Sequence, residues 1–347
     1  QYLSCHDRQP VLKLEMQNRG SRMTRTMRNK LIQMLQDSEG KWVSGQEVSR
    51  TLGISRSAVW KHMEGLRREG LNVEASPRKG YRVDGAPDLL GEDEIRFALD
   101  TDLFDRGNIL YLPETESTNA VAKEAASEGA PEGSIVVAGT QTGGKGRKGR
   151  TWFSPPGLGL YASLVLRPHL PPSEAFAFSL LSAVAVAEGI ASVDRRLAPS
   201  VRWPNDVLIK NRKVAGILIE LSTEADLLDY VIVGFGINVN IDSFPEGLRT
   251  EPTSLLLQTG KRIPRTAVLS SVLAAFEREY RRFLEAGSEP VLSDWRKRCD
   301  IEGKRIAVER VNSVIEGIVQ AVDRDGSLIL EDKEGRIHRI HSGDVTY

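Results

Sequence analysis

The chain has 347 residues, and its 47 lysines plus arginines balance its 47 aspartates plus glutamates, so it carries no formal net charge. That length allows two or three domains, and the balance excludes an overall field that draws polyanions, so any anion binding must rest on local clusters. Two cysteines, Cys5 and Cys299, exclude a disulfide framework or a cysteine zinc site and fit a reducing cytoplasm; no apolar run is read as approaching the roughly 20 residues that span a bilayer, so no membrane is expected.

Residues 1–24 are polar and irregular and are expected to form a disordered leader outside the fold. From there Met27, Leu31, Ile32, Met34 and Leu35 fall at helical spacing, and Gly40 ends the pattern. Ser44 to His62 reads as a short helix, a corner at Gly53 and a second helix that Ser55 can cap, as a helix-turn-helix requires. The second helix sets Arg56, Ser57, Lys61 and His62 on its polar side and Ala58, Val59, Met63 and Leu66 toward a core. Leu71 to Glu74 and Gly80 to Val83 read as a hairpin whose connection carries Arg78 and Lys79. The expectation is a winged helix-turn-helix over residues 25–84, reading DNA with the second helix and touching its backbone from the wing. A winged helix used only for protein contacts is the plainer alternative. Asp84-Gly85-Ala86-Pro87 marks the boundary.

Over residues 88–298 apolar runs suited to strands recur at Ile109–Leu112, Ser134–Ala138, Leu160–Leu166, Asp206–Ile209, Val214–Leu221 and Tyr230–Val239. Helical stretches fall at Ser117–Glu128, Ser173–Val193 and Arg265–Leu284. Short turns between strands argue for a mixed, largely antiparallel sheet with packed helices, an α+β domain. Between two of the strands lies Gly143 to Trp152, GGKGRKGRTW, with four glycines, two lysines and two arginines. Glycine permits close approach and positive φ, so backbone N–H groups and cations can surround an anion there; a solvated basic loop is the bland reading. Neither a Walker pattern nor a Rossmann fingerprint is present. Residues 300–347 hold five short strand runs separated by Asp325-Gly326, Glu334-Gly335 and Gly343, which suggests a small SH3-like barrel.

Four polar clusters interrupt the apolar runs of the central domain. They are Glu116-Ser117-Thr118-Asn119; Gln141 with the basic loop; Arg202-Trp203-Pro204-Asn205-Asp206; and Lys213-Val214-Ala215-Gly216-Ile217 with Gly234-Phe235-Gly236-Ile237-Asn238-Val239-Asn240. Each has an ordinary structural explanation taken singly: an N-cap, a solvated loop, a turn, a strand-end lysine. In this order they resemble the biotin protein ligases, and with the winged helix in front the chain is similar to the bifunctional class that also represses the biotin operon. The family's loop commonly reads GRGRRGR, and here Lys145 and Lys148 keep the charge but lose the guanidinium fork.

The resemblance implies a class II synthetase-like catalytic domain and two reaction steps. Biotin carboxylate attacks the α-phosphorus of ATP to give biotinyl-5'-AMP, and a lysine of a biotin carboxyl carrier protein of acetyl-CoA carboxylase then takes the biotinyl group. On that reading Arg147, Lys213 and Asp206 are catalytic. Ser117, Thr118, Asn119, Gln141, Gly144, Lys145, Gly216 and Gly236 join Arg147 and Lys213 around biotin, while Arg150, Trp152, Asn205 and Asn238 join Arg147 around ATP. Mg2+ is implied on the phosphates, with no cluster to identify its protein ligands. Operator DNA and a ligand-promoted homodimer are implied partners. Two alternatives stand beside this reading: a ligand-sensing repressor without ligase activity, and an enzyme handling lipoate or octanoate.

Overall fold

The computed structural model describes residues 25–38, 40–68, 71, 73–83, 88–309, 313–341 and 343–346. The expected leader, the expected boundary at residues 84–87, and Asn72 and Tyr347 of the expected strands lie outside the described residues. The chain divides into two units, Gln1–Pro87 and Asp88–Tyr347.

In the first unit α1 (Arg25–Asp37), α2 (Gly45–Leu52) and α3 (Arg56–Arg68) are followed by an antiparallel hairpin, β1 (Val73–Ser76) and β2 (Gly80–Val83). Ser44 caps α2 by accepting from the Glu47 N–H at 3.0 Å, and Ser55 caps α3 from the Ala58 N–H at 3.2 Å. Gly53 takes φ 67° at the corner, where a side chain would be strained. Leu31, Leu35, Val48, Leu52, Val59, Met63 and Leu66 bury the facing stripes of the three helices. The first strand begins at Val73 rather than Leu71, whose side chain is buried without joining the ladder.

The second unit is built on a seven-stranded sheet: β3 (Ile109–Leu112), β4 (Ile135–Ala138), β5 (Gly159–Leu166), β9 (Leu227–Asn238), β8 (Arg212–Glu224), β7 (Asp206–Ile209) and β6 (Ser200–Arg202), in that spatial order. Only β3 and β4 run parallel. Along β4, β5 and β9 alternate side chains enter two different cores, as a period of two requires. Besides the short helices α4 (Glu92–Ala98), α5 (Asp102–Arg106) and α8 (Leu255–Thr259), one face takes the main core with α7 (Ala175–Val193) and α9 (Arg265–Ala286). The other takes a smaller cluster, Val136, Val165, Tyr230 and Ile232, with Ala122 and Ala126 of α6 (Thr118–Ser127).

The stretch Pro172–Val193, including α7, is long and apolar enough to cross a membrane by length and composition, contrary to the sequence expectation. Scattered Ser and Glu residues break the run to the eye but are too few to offset its apolar majority. Its helix is apolar all round because it is enclosed all round by sheet and helices. β6 and α10 (Ser288–Arg298) were not legible: β6 is three residues long, and α10 carries Pro290 in its first turn, where the ring is tolerated.

β10 (Arg305–Glu309), β11 (Val314–Val322), β12 (Leu328–Glu331), β13 (Ile337–Ile340) and β14 (Asp344–Thr346) form an all-antiparallel sheet in the order β13-β12-β11-β10-β14. Its inward residues Ile306, Val308, Val319, Val322, Leu328, Leu330 and Ile340 are continuous with the main core. Trp203 Nε1, fully enclosed, donates to Gly326 O at 2.9 Å and ties this sheet to the central one.

Candidate active site

The register of the central sheet explains where a ligand fits. On the face that carries α6, β9 presents Tyr230 and Ile232 and then, two residues on each time, Gly234 and Gly236. Gly216 of β8 lies opposite Gly236. Three neighbouring positions therefore lack side chains, so side chains from other segments come down close onto the sheet there and leave a hollow between them. The hollow is closely bordered: a Cβ on Gly234 would stand 1.9 Å from Asn119 Oδ1, and one on Gly236 2.4 Å from Trp152 Nε1. Among the described residues a cavity lies over these glycines, lined by most of the clusters read from the sequence.

Lys213 reaches this cavity through a β-bulge. Val207 pairs with Ala215, but Leu208 pairs with Lys213, so β8 holds one residue more than β7 at that point. Val214 and Ala215 consequently both enter the core, and Lys213 turns to the face of Gly216 and Asp206 instead of the core face. Its Nζ sits 2.6 Å from Asp206 Oδ1 and 5.3 Å from the centre of the Trp152 ring. Asp206 also accepts from Arg202 Nη2 at 3.0 Å, so its carboxylate is shared by two cations.

One wall is neutral and already connected. Gln141 Oε1 accepts from the Thr118 N–H at 2.9 Å and lies 3.1 Å from Thr118 Oγ1. Ser163, fully buried in β5, has its Oγ 2.8 Å from Thr118 Oγ1 and 2.7 Å from Asn119 Oδ1, to which it donates. Asn119 Nδ2 donates to Glu220 Oε2 at 2.7 Å. Ser117 is the residue preceding α6 and makes no side-chain cap bond there. The hydroxyl of Ser163 and the absent side chain of Gly234 were missed from sequence. The signal for Ser163 was there, as the one polar residue in the apolar run Leu160–Leu166.

The other wall is the basic loop. Lys145 pairs across a two-residue bridge region with Thr151 and lies 3.9 Å from Glu116, both side chains being largely exposed. Arg147 is half-buried, and Nη1 donates to Asn205 Oδ1 at 3.3 Å. Burial lowers its guanidinium below the usual value, while Asp344 and Asp206 at longer range oppose that. Arg150 Nη1 donates to Asp344 Oδ1 at 3.1 Å. Trp152 Nε1 is buried without a hydrogen-bond partner among the described residues, an orphan donor facing the glycine floor.

Two expected site residues stand off the cavity lining. Gly144 backs the loop, its carbonyl accepting from the Trp152 N–H at 2.8 Å. Asn238 Nδ2 donates to the backbone carbonyls of Thr253 (2.9 Å) and Lys213 (3.4 Å). Asp344 and Arg249 line the cavity from sequence-distant segments and were not foreseen. In the first unit Arg56, Ser57, Lys61, Arg78 and Lys79 are exposed and His62 is half-buried. Trp60, unforeseen, is 56 % exposed beside Lys61. No group of three or more His, Cys, Asp or Glu side chains suited to a metal occurs among the described residues.

The arrangement is a cation-walled, glycine-floored pocket with a neutral polar end, placed in a mixed sheet that follows three helices and a hairpin in the chain. Cations on one wall and fixed neutral donors and acceptors on the other suit a ligand with an anionic and a neutral polar end, in a chain that also carries a helix-turn-helix. Residues 111–238 match the Biotin/lipoate A/B protein ligase family, 27–82 an HTH domain and 302–346 the Biotin protein ligase C terminal domain. The bifunctional ligase/repressor BirA of Bacillus subtilis is 40 % identical over 93 % of this chain and 99 % of its own length. That of Escherichia coli is 31 % identical over 91 % and 96 %. The solved biotin protein ligase from Aquifex aeolicus in complex with biotin and ATP superposes with a TM-score of 0.59 at 30 % identity, covering 69 % of this chain and 97 % of that one. The chain belongs to the family of bifunctional biotin ligase/repressors.

Proposed function

We propose that this chain makes biotinyl-5'-AMP from biotin and ATP, passes the biotinyl group to a lysine of the biotin carboxyl carrier protein of acetyl-CoA carboxylase, and represses a biotin operon through its first unit. One observation carries the chemistry: Lys213, turned by a bulge, and half-buried Arg147 face one pocket whose far end is neutral and hydrogen-bonded. In the first step a carboxylate oxygen bonds to the α-phosphorus and the bond to pyrophosphate breaks. Both reactants are anions, so mutual repulsion is a large part of the barrier, and preset cations in a partly dry site lower it most. Arg147 gathers the carboxylate and phosphate oxygens, and Lys213 shares the charge that develops between them. In the second step the acceptor amine attacks the acyl carbon and AMP leaves. Asp206, fixed by Lys213 and Arg202, orients that amine.

Ser117, Thr118, Asn119 and Gln141 frame the neutral heterocycle of biotin, with Gly216 and Gly236 as its floor and Gly144 and Lys145 at the loop side. Trp152 stacks on the adenine, and Arg150 and Asn205 contact the nucleotide. Asn238 serves the nucleotide through the backbone of Lys213 that it holds. The carboxylates lining the pocket, Asp206 and Asp344, are each engaged by cations, so among the described residues the pocket's side chains compose no Mg2+ cage. Magnesium would ride on the phosphates of ATP and offset part of their charge.

The finer architecture belongs to the same reading: a winged helix over residues 25–84, a class II synthetase-like domain over 88–298 and an SH3-like barrel over 300–347, in a cytoplasmic protein with no membrane partner. Ligand-promoted dimerisation would align two winged helices on a two-fold operator, with Arg56, Ser57, Lys61 and His62 toward bases and Arg78 and Lys79 toward phosphates. Sedimentation with and without biotin plus ATP tests the dimer. The decisive experiment incubates the full chain with biotin, ATP and magnesium and looks by mass spectrometry for retained adenylate and for biotin on a carrier-domain lysine. Absence of both refutes the ligase, and stabilisation by lipoate with ATP in place of biotin refutes the substrate.

A further inference from the structure

The four cations of the basic loop are not equivalent. Lys145 has a loose, exposed pairing with Glu116 at 3.9 Å. Arg147 bonds only a neutral amide oxygen, that of Asn205, and no ion pair forms at it among the described residues. Lys148 and Arg150 instead turn to one carboxylate, Asp344, at the start of β14. Lys148 Nζ lies 3.0 Å from Oδ2, Arg150 Nη1 lies 3.1 Å from Oδ1, and Arg150 Nη2 completes a fork on Oδ2. Lys148 also donates to Glu309 O at 3.1 Å. Arg249, from the connection after β9, stands 3.6 Å from the same carboxylate and pairs with Glu309. A tight turn sorts these side chains: Arg147–Gly149 is a single 3-10 turn in which Lys148 takes φ 57°, left-handed and costly for a residue with a Cβ.

An exposed surface pair would contribute little. Asp344 differs because its side chain is only 14 % exposed and its three cationic partners come from two separated segments, one of them supplying a guanidinium fork. We infer that Asp344 is a positioning residue for the adenylate site: it draws Lys148 and Arg150 to the rim and leaves Arg147 as the loop cation that faces the reacting anions. The carboxyl-terminal sheet thereby sets the loop's closed position without touching the reacting atoms. Without that carboxylate, Lys148, Arg150 and Arg249 repel one another and the turn loses its outer anchor. This inference rests on the ligase reading above.

The test compares the full-length parent with Asp344→Asn and Asp344→Glu. For Asp344→Asn the KM for ATP is expected to rise about tenfold and bound biotinyl-adenylate to escape about tenfold faster, with kcat at saturating ATP falling by less than the KM rises. Asp344→Glu is expected to restore most of both. In a Lys148→Ala/Arg150→Ala background, Asp344→Asn is expected to add less than twofold, because the loop contacts it removes are already gone and only the looser one to Arg249 remains. Unchanged KM and escape rate overturn the inference. So does a lower KM, which would make the carboxylate a competitor of phosphate, and so does a loss that follows the melting temperature and resists rescue by Glu. A parent that forms no adenylate fails the ligase reading instead, whereas a working parent matched by Asp344→Asn fails only the role of Asp344.

Discussion

The two walls of the pocket are built on opposite plans. The neutral wall, Thr118, Asn119, Gln141 and Ser163, is bonded to itself, and most of it is buried on the sheet. The cationic wall hangs on a glycine loop whose outer contacts run to a different sheet. A neutral heterocycle needs donors and acceptors in fixed places, which a rigid network supplies cheaply because nothing must be ordered at binding. Two anions need concentrated positive charge, which repels itself when empty and so requires a partner to hold it. Selectivity is thus expected from the first wall and reactivity from the second.

Changing the cation that belongs to the rigid sheet should break this division most severely. Lys213→Ala is expected to lower pyrophosphate release roughly 10²- to 10³-fold with the fold intact, the scale found when one charge-stabilising donor is removed; near-normal release would take Lys213 out of the site. Gly234→Ala attacks the neutral wall, since its Cβ would stand 1.9 Å from Asn119 Oδ1. Biotin affinity by calorimetry should fall by more than tenfold, while ATP binding stays near normal. Ser163→Ala removes the hydroxyl shared by Thr118 and Asn119, and about 1–3 kcal/mol of stability should go with it. Denaturant titration measures that loss, and a neutral result would mean the network is incidental.

The smallest effect concerns pH. Burial by itself would raise the Asp344 carboxyl, but hydrogen bonds from Arg150 and Lys148 prevail and hold it at about 2. A carboxyl lowered on folding stabilises the closed loop fully above its ordinary value near 4, and the contribution fades as pH falls toward 2. Carboxyl carbon shifts of labelled aspartate should therefore show no change at Asp344 between pH 5 and 9. A midpoint inside that range would contradict the contact.

Continuous apolar runs made most of the central sheet legible, because its inner strands are buried on both faces, and glycines marked the loop and, at Gly216 and Gly236, part of the floor. Lys213 was placed at a strand opening, whereas it lies within β8, and the bulge that aims it follows from pairing with β7 rather than from local composition. Asp344 was invisible for a related reason. It is one acidic residue in a short strand, about two hundred positions from its partners, and only the folded chain brings them together.

The bond from Trp203 Nε1 to Gly326 O has a practical corollary. The indole sits inside the turn of the cluster that carries Asn205 and Asp206, and its proton is received by a tight corner between β11 and β12. A chain ending near residue 300 would strand that donor in an apolar interior and strip the main core of one side. Such truncations are expected to come out of cells as aggregates, which makes the last five strands part of the catalytic unit's folding core and not a removable appendage.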